Sequence, residues 1–251
     1  MIDHVTIRLP DLVAARAFYT LALELVDGPP PTEGEGFVEW NDFSISKASR
    51  VRPTTRRLHI GFQASDRAQV DRWWQSLREA GYADLGAPGP RREYSPSYYG
   101  AFIADPVGNS VEAVHHDAVT GSRTIDHLWF RTRNLEAITV FYETVSPIVG
   151  YRTTRLPDRT RIHRNQAASV SFVPGEPTEN VHLAFGVPDI ATVEAFHEAG
   201  TRAGYTSLGE PGERPRYHPG YYGAYLSDPD LHNIEAVHHN RTRSEATLPV
   251  A

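Results

Sequence analysis

Val111-Glu112-Ala113-Val114-His115-His116 returns later in the chain as Ile234-Glu235-Ala236-Val237-His238-His239. With it, Ile2-Asp3-His4 returns as Ile125-Asp126-His127 and Leu58-His59 as Val181-His182. The separations 127 − 4, 182 − 59 and 235 − 112 all give 123, so two copies of one module have diverged without a net insertion between these landmarks. Such a repeat sets the architecture before any local pattern does. It divides the 251 residues into a first module over 1–118, a linker over 119–123, a second module over 124–240 and a tail over 241–251 that lacks periodicity and is expected to be flexible.

Each copy reads in the same order. From Asp3 to Leu9, Val5, Ile7 and Leu9 share one face while His4, Thr6 and Arg8 share the other, which is the period of a half-buried strand. Asp11 is placed to cap a helix through about Leu25, in which Leu12, Ala15, Phe18 and Tyr19 recur at helical spacing. Strand-like segments follow around Phe37 to Trp40 and Phe43 to Ser46. The plan restarts at Leu58-His59-Ile60-Gly61-Phe62, continues in a helix capped by Asp66, and leaves Gly81 at the left-handed position past its end. Strands near Tyr99 to Ala104 and Ser110 to His115, joined by the turn Asp105-Pro106-Val107-Gly108-Asn109, close the copy. In the second copy Asn134 and Asp189 take the cap positions, Gly204 the stop, and Asp228-Pro229-Asp230 opens the last turn.

Composition narrows the chemistry. A net charge of -6 leaves no basic stripe to neutralise a phosphate backbone, so nucleic acid is not an expected partner. The absence of cysteine removes disulfides, zinc–thiolate sites and thiol nucleophiles, so any metal must be held by His, carboxylate or water. No apolar stretch approaches the roughly 20 residues that span a bilayer, and no signal-like segment precedes Ile2. The expectation is a cytoplasmic protein that takes a small-molecule substrate, with a homodimer among its assemblies.

What both copies retain is two histidines and a glutamate: His4, His59 and Glu112, then His127, His182 and Glu235. Two neutral imidazoles and one carboxylate with open positions suit Fe(II), Mn(II), Ni(II) or a catalytic Zn(II). A lone strand histidine is more often a hydrogen-bonded core residue, but a glutamate within an apolar strand is costly unless paired or metal-bound, and both copies keep it. Neighbours on a strand face opposite ways, so His115-His116 and His238-His239 cannot both reach the metal of the adjacent Glu and read as strand-end or interface residues. His163, His197 and His232 have no counterparts and read as surface residues. The blocks Tyr94-Ser95-Pro96-Ser97-Tyr98-Tyr99-Gly100 and Tyr217-His218-Pro219-Gly220-Tyr221-Tyr222-Gly223 read as pocket walls whose hydroxyls bind a substrate oxygen or move a proton.

These residues resemble the vicinal oxygen chelate superfamily of glyoxalase I, extradiol ring-cleaving dioxygenases, fosfomycin-resistance enzymes and bleomycin-binding proteins, from Ile2 to about His239. The resemblance rests on the leading Asp-His and on Asp105-Pro106-Val107-Gly108-Asn109-Ser110-Val111-Glu112. It implies an α+β fold of two tandem modules, each two βαβββ units forming a cupped mixed sheet, with the two trios as metal ligands. Glyoxalase I resembles the chain but adds a fourth ligand, where this chain reads Phe43-Ser44-Ile45-Ser46 and Ser169-Val170-Ser171-Phe172. The extradiol signature of His, Tyr, Asp-Pro and ligand Glu is similar to His218, Tyr225, Asp228-Pro229 and Glu235, with Ser95 and Phe102 at the first-copy positions. The usual acid–base His is replaced around Ala167, Ala168 and Ser169, which leaves Tyr221 or His218 for that role.

The resemblance thus implies a non-heme Fe(II) dioxygenase of extradiol type acting on an aromatic or enediol substrate with neighbouring oxygens, with His218, Tyr225 and Tyr221 as catalytic candidates. The alternatives are a glyoxalase-like isomerase or lyase, and a drug-binding resistance protein whose cup is lined by Trp40 and the tyrosines. Two wirings are open: each module makes its own site, or halves exchange so that His4 joins His182 and Glu235 while His127 joins His59 and Glu112.

Overall fold

The structure is a computed structural model that describes residues 2–117, 124–164 and 168–240. Its elements form four consecutive βαβββ units. The first is β1 (Ile2–Leu9), α1 (Leu12–Glu24), β2 (Thr32–Gly34), β3 (Phe37–Trp40) and β4 (Phe43–Lys47), and the second is β5 (His59–Gln63), α2 (Arg67–Glu79), β6 (Asp84–Pro90), β7 (Tyr99–Ala104) and β8 (Ser110–His115). The third is β9 (Ile125–Thr132), α3 (Leu135–Val145), β10 (Arg152–Arg155), β11 (Thr160–His163) and β12 (Ser169–Pro174). The fourth is β13 (His182–Gly186), α4 (Ile190–Arg202), β14 (Ser207–Glu213), β15 (Tyr221–Ser227) and β16 (Asn233–His239). The linker 119–123 and the tail 241–251 lie outside the described residues, as does Ala167.

Asp11, Asp66, Asn134 and Asp189 each accept the backbone N–H three residues on, capping the four helices as the sequence pattern anticipates. Gly81 and Gly204 take the left-handed conformation just past α2 and α4, with φ of 91° and 89°. The alternation in β1 is realised: Ile2, Val5, Ile7 and Leu9 are buried, whereas His4, Thr6 and Arg8 face a partly open side.

The units are exchanged between two eight-stranded mixed sheets. One has the order β14-β15-β16-β13-β1-β4-β3-β2 and joins the first unit to the fourth; the other has the order β10-β11-β12-β9-β5-β8-β7-β6 and joins the third to the second. The seams are antiparallel pairs, β1 with β13 and β5 with β9. Back-face packing nevertheless ties together the two halves of each sequence module, within one continuous core. Phe43 of β4 meets Phe62 of β5 at 5.3 Å, Tyr19 meets Phe43 at 4.9 Å, and the Trp73 indole N–H donates to Ala22 O at 2.9 Å, locking α2 to α1. In the second module Tyr151 packs on Phe185 at 4.9 Å and Phe141 on Tyr205 at 4.8 Å. Back-face packing therefore links neighbouring units along the chain, while sheets, and the front faces they present, are built across modules.

Some local expectations are revised. Trp40 does not line a cup: it is 1% exposed, packed in the back-face core with Tyr19 and Phe43. His197 and His232 are buried rather than superficial, because His197 hydrogen-bonds Ser207 Oγ at 2.8 Å and His232 fills an interior turn position. Among the described residues no helix is long and apolar enough to cross a membrane.

Candidate metal centres

Strand register brings two histidines and a glutamate together across each seam: His59, Glu112 and His127 in one sheet, His4, His182 and Glu235 in the other. In one sheet His127 pairs with Gly61 and Gly61 with Glu112; in the other His4 pairs with Ala184 and Ala184 with Glu235. Residues in one such row project to the same face of the sheet. A histidine and a glutamate two strands apart, roughly 10 Å between backbones, thus converge over a small residue. The second histidine enters from the next row on that face, where His59 lies beside Trp129 and Ser110, and His182 beside Thr6 and Asn233. Both trios therefore mix modules, as in the exchanged of the two wirings the sequence allows. The ligand atoms within each trio lie within 4.8 Å of one another.

At the Glu112 centre the His59 Nε2 to His127 Nε2 distance is 3.0 Å, His59 Nε2 to Glu112 Oε2 is 3.1 Å and His127 Nε2 to Glu112 Oε2 is 3.3 Å. Ligands about 2.1 Å from an ion in adjacent octahedral positions lie about 3.0 Å apart, so these spacings fit one face of an octahedron. At the Glu235 centre the distances are 3.1 Å for His4 Nε2 to His182 Nε2, 3.0 Å for His182 Nε2 to Glu235 Oε2 and 3.7 Å for His4 Nε2 to Glu235 Oε2. Both glutamates are 1% exposed. Carboxylates this buried require a cation or protons opposite them.

The surroundings hold the ligand atoms in place. His127 Nδ1 donates to Asp126 Oδ1 at 2.7 Å and His4 Nδ1 to Asp3 Oδ1 at 2.9 Å, which turns each Nε2 lone pair toward the shared point. Tyr98 Oη donates to Glu112 Oε1 at 3.0 Å and Tyr221 Oη to Glu235 Oε1 at 2.7 Å, leaving Oε2 free in both. The aspartates are held in turn by His116, at 2.8 Å from Asp126 Oδ2, and His239, at 3.0 Å from Asp3 Oδ2. A Cβ on Gly100 would overlap Glu112 Oε1, and one on Gly61 would overlap the His127 ring. The donor set, its orientation and these clearances fit a divalent ion.

Protonation follows the same contacts. Burial opposes a charge on His127, but hydrogen bonds and charges from Asp126 and Glu112 outweigh it and push the imidazole up to about 10. His4 is raised in the same way by Asp3 and Glu235. His59 and His182 are lowered, chiefly by burial. Asp126 and Asp3 overcome their burial through two histidine partners each and sit well below the usual carboxylate range. Without metal, each centre thus concentrates a proton on the histidine beside the aspartate.

The catalytic candidates taken from the sequence gather at the Glu235 centre. Tyr221 positions the carboxylate, and Tyr225 lies against Glu235 across the β15–β16 pair with its hydroxyl outside hydrogen-bond geometry. His218 bonds Pro219 O at 2.7 Å and His239 Nδ1 at 2.8 Å, so it ends a chain that runs through His239 and Asp3 to His4. Sequence reasoning missed the roles of Asp3, Asp126, His116 and His239, although Asp-His and His-His recur in both copies.

The Glu112 centre opens into a cavity of about 790 Å³. Its lining includes Tyr94, Tyr98, Phe102 and Trp129, with Arg131 and Arg161 among the charged residues. Tyr99 points away, its hydroxyl on Asp71 of α2 at 2.8 Å, so two of the three tyrosines in that block form the wall.

Residues 1–113 match the family described as the Glyoxalase/Bleomycin resistance protein/Dioxygenase superfamily. Glyoxalase I from Zea mays is similar in structure, with a TM-score of 0.66 at 18% identity over 95% of this chain and 92% of that one. A putative dioxygenase from Bacillus subtilis subsp. subtilis str. 168 reaches 0.65 at 14% identity over 96% and 85%. No curated protein matches the chain in sequence. At such identities the likeness is one of fold. The first module thus matches the glyoxalase/bleomycin resistance protein/dioxygenase family over residues 1–113, and the chain as a whole has the two-module fold of glyoxalase I.

Proposed function

We propose that the protein is a divalent-metal-dependent enzyme whose principal catalytic centre is His59, Glu112 and His127, and that it acts as an Fe(II) dioxygenase of extradiol type on a small substrate with two neighbouring oxygens. The observation that carries this reading is the assembled two-histidine, one-carboxylate face at the floor of the 790 Å³ cavity. Bound there, Fe(II) would supply Lewis acidity and a place for dioxygen.

The protein's own residues prepare that site. Asp126 fixes the tautomer of His127, Tyr98 directs the carboxylate, and Trp129, Phe102 and Tyr94 wall the cavity against water. Burial and Glu112 hold the Tyr98 phenol far above its ordinary range, so it stays a donor and does not serve as a base. His4, His182 and Glu235 form a second metal site, with His218, Tyr225 and Tyr221 as its neighbouring groups. Mn(II), Ni(II) or Zn(II) would fit the same donors.

The test is metal content after anaerobic purification, then oxygen uptake with catechol or 2,3-dihydroxybenzoate after Fe(II) loading. Uptake that matches ring opening supports the dioxygenase. Metal-dependent turnover without oxygen uptake identifies a glyoxalase-like isomerase or lyase. A protein that takes up none of the four metals is not an enzyme of either kind.

A further inference from the structure

The two centres share ligands and supports but differ in the row that carries the second histidine. At the Glu112 centre that row reads Arg161, Ser171, Trp129, His59 and Ser110 across five strands. At the Glu235 centre the matching positions are Glu39, Ser44, Thr6, His182 and Asn233. An arginine thus stands where the other sheet has a glutamate, and a tryptophan where it has a threonine.

The arginines of the cavity are unequally engaged. Arg57 is paired with Glu179, and Arg159 bonds Asp158 at 2.9 Å while lying 5.4 Å over the Trp129 ring. Arg131 and Arg161 form no ion pair among the described residues; Arg161 reaches only Ser169 Oγ, at 3.3 Å. Arg131 sits two residues beyond Trp129 on the same strand face. The acids of the cavity, Glu112 and Asp126, are consumed by His59, His127 and His116. Two guanidiniums without an ion pair therefore flank a flat aromatic wall; Arg161 is repelled by Arg159 and attracted by Asp126, whose oxygens are already taken by His127 and His116. Such an arrangement is relieved by an anion that accepts from them in bidentate fashion.

We propose that the Glu112 cavity selects a small anionic molecule with a flat apolar body, its carboxylate or phosphate held by Arg131 and Arg161 and its ring against Trp129. This names the substrate class for the function proposed above and rests on that reading only for the word substrate, because the anion site needs no metal.

The experiment uses the full chain, stripped of metal by chelation, titrated calorimetrically with benzoate, phenyl phosphate and neutral benzamide. At least one of the two anions is expected to bind about tenfold or more tightly than benzamide, the scale of a charge-assisted pair. The tighter of the two identifies the anionic group. Arg161→Gln and Arg131→Gln should each weaken anion binding by about tenfold, whereas Arg72→Gln on the outer face of α2 should leave it unchanged. Arg161 and Arg131 are exposed, and a thermal melt of each variant checks that the fold is kept. Equal binding of anions and benzamide overturns the proposal, as does anion binding indifferent to both arginines in folded variants. Arginine-dependent binding in a chain that takes up no metal would sink the enzyme reading and keep the anion site; metal uptake without anion preference would do the reverse.

Discussion

The Glu112 and Glu235 centres are built by one plan, yet the first has the tighter ligand triangle and the arginine-lined aromatic cavity, while the second has the His218–His239–Asp3–His4 chain and Tyr225. The difference lies almost wholly outside the trios. Duplication preserved what a metal needs, which is few atoms at fixed spacing, and released the surrounding rows to take different side chains. Because the sheets exchange, a change in the first half of one module alters the site that carries the other module's glutamate.

That exchange yields the largest expected effect. His127→Ala and Glu112→Ala should each empty the same centre, so metal content falls to one of the two sites and the double variant loses no more. His127→Ala combined with Glu235→Ala should empty both. If His127→Ala and Glu235→Ala proved redundant, the sites would be wired within modules. Metal analysis of the four proteins decides it, and far-ultraviolet circular dichroism confirms their folds.

The supporting contacts set the next scale. Asp126→Asn replaces the charged acceptor that holds His127 with a neutral amide, and should cost roughly 10- to 100-fold in metal affinity at the Glu112 centre. Asp3→Asn should do the same at the Glu235 centre. Tyr98→Phe frees Glu112 Oε1 and should fall at the lower end of that range. Competitive titration against a chromophoric chelator measures each; equal affinity in Asp126→Asn and the parent would show that the charge of Asp126 does not tune the ligand.

Proton competition comes next. Metal must displace the proton on His127, so affinity at the Glu112 centre should rise about tenfold per pH unit as pH increases toward about 10. The same proton stabilises the metal-free fold. With the imidazole raised from 6.5 to about 10, that stabilisation is complete below pH 6.5 and disappears as pH rises through 10. A metal affinity flat from pH 6 to 8 would mean that His127 is already neutral.

Much of this was legible in the chain. Helix caps, the strands that bear ligands and the six ligand-type residues follow from local periodicity plus the repeat, because a Glu set in an apolar strand must face a cation or a proton donor once it is buried; which three residues meet does not, since that depends on which strands pair across the seams. The segments β6 and β14, Asp-Leu-Gly-Ala-Pro-Gly-Pro and Ser-Leu-Gly-Glu-Pro-Gly-Glu, were not, since Gly and Pro erase alternation and only pairing with β7 and β15 makes them strands. The cavity was illegible for a different reason. Arg161, Trp129 and His59 come from three strands and two modules, and only register aligns them.

The smallest expected effect tests whether drift has also cost stability. In the first module Asn109 donates to Asp105 Oδ2 at 2.9 Å and Tyr19 donates to the same oxygen at 2.9 Å. In the second, His232 stands at the Asn109 position, and Asp228 Oδ2, Tyr142 Oη and His232 Nε2 are all buried without partners. Burial pushes the Asp228 carboxyl well up and the His232 imidazole down to about 3. His232→Asn restores a donor to Asp228 and should stabilise the protein by about 1–3 kcal/mol, the cost of an unmet buried polar group. Leu231 beside it holds φ of 66° where Gly108 holds 88°, so Leu231→Gly should add about 1 kcal/mol by releasing left-handed strain. The reciprocal Asn109→His in the first module should destabilise by a similar amount. Denaturant midpoints at neutral pH measure all three; His232→Asn no more stable than the parent would show that the second turn has found partners of its own.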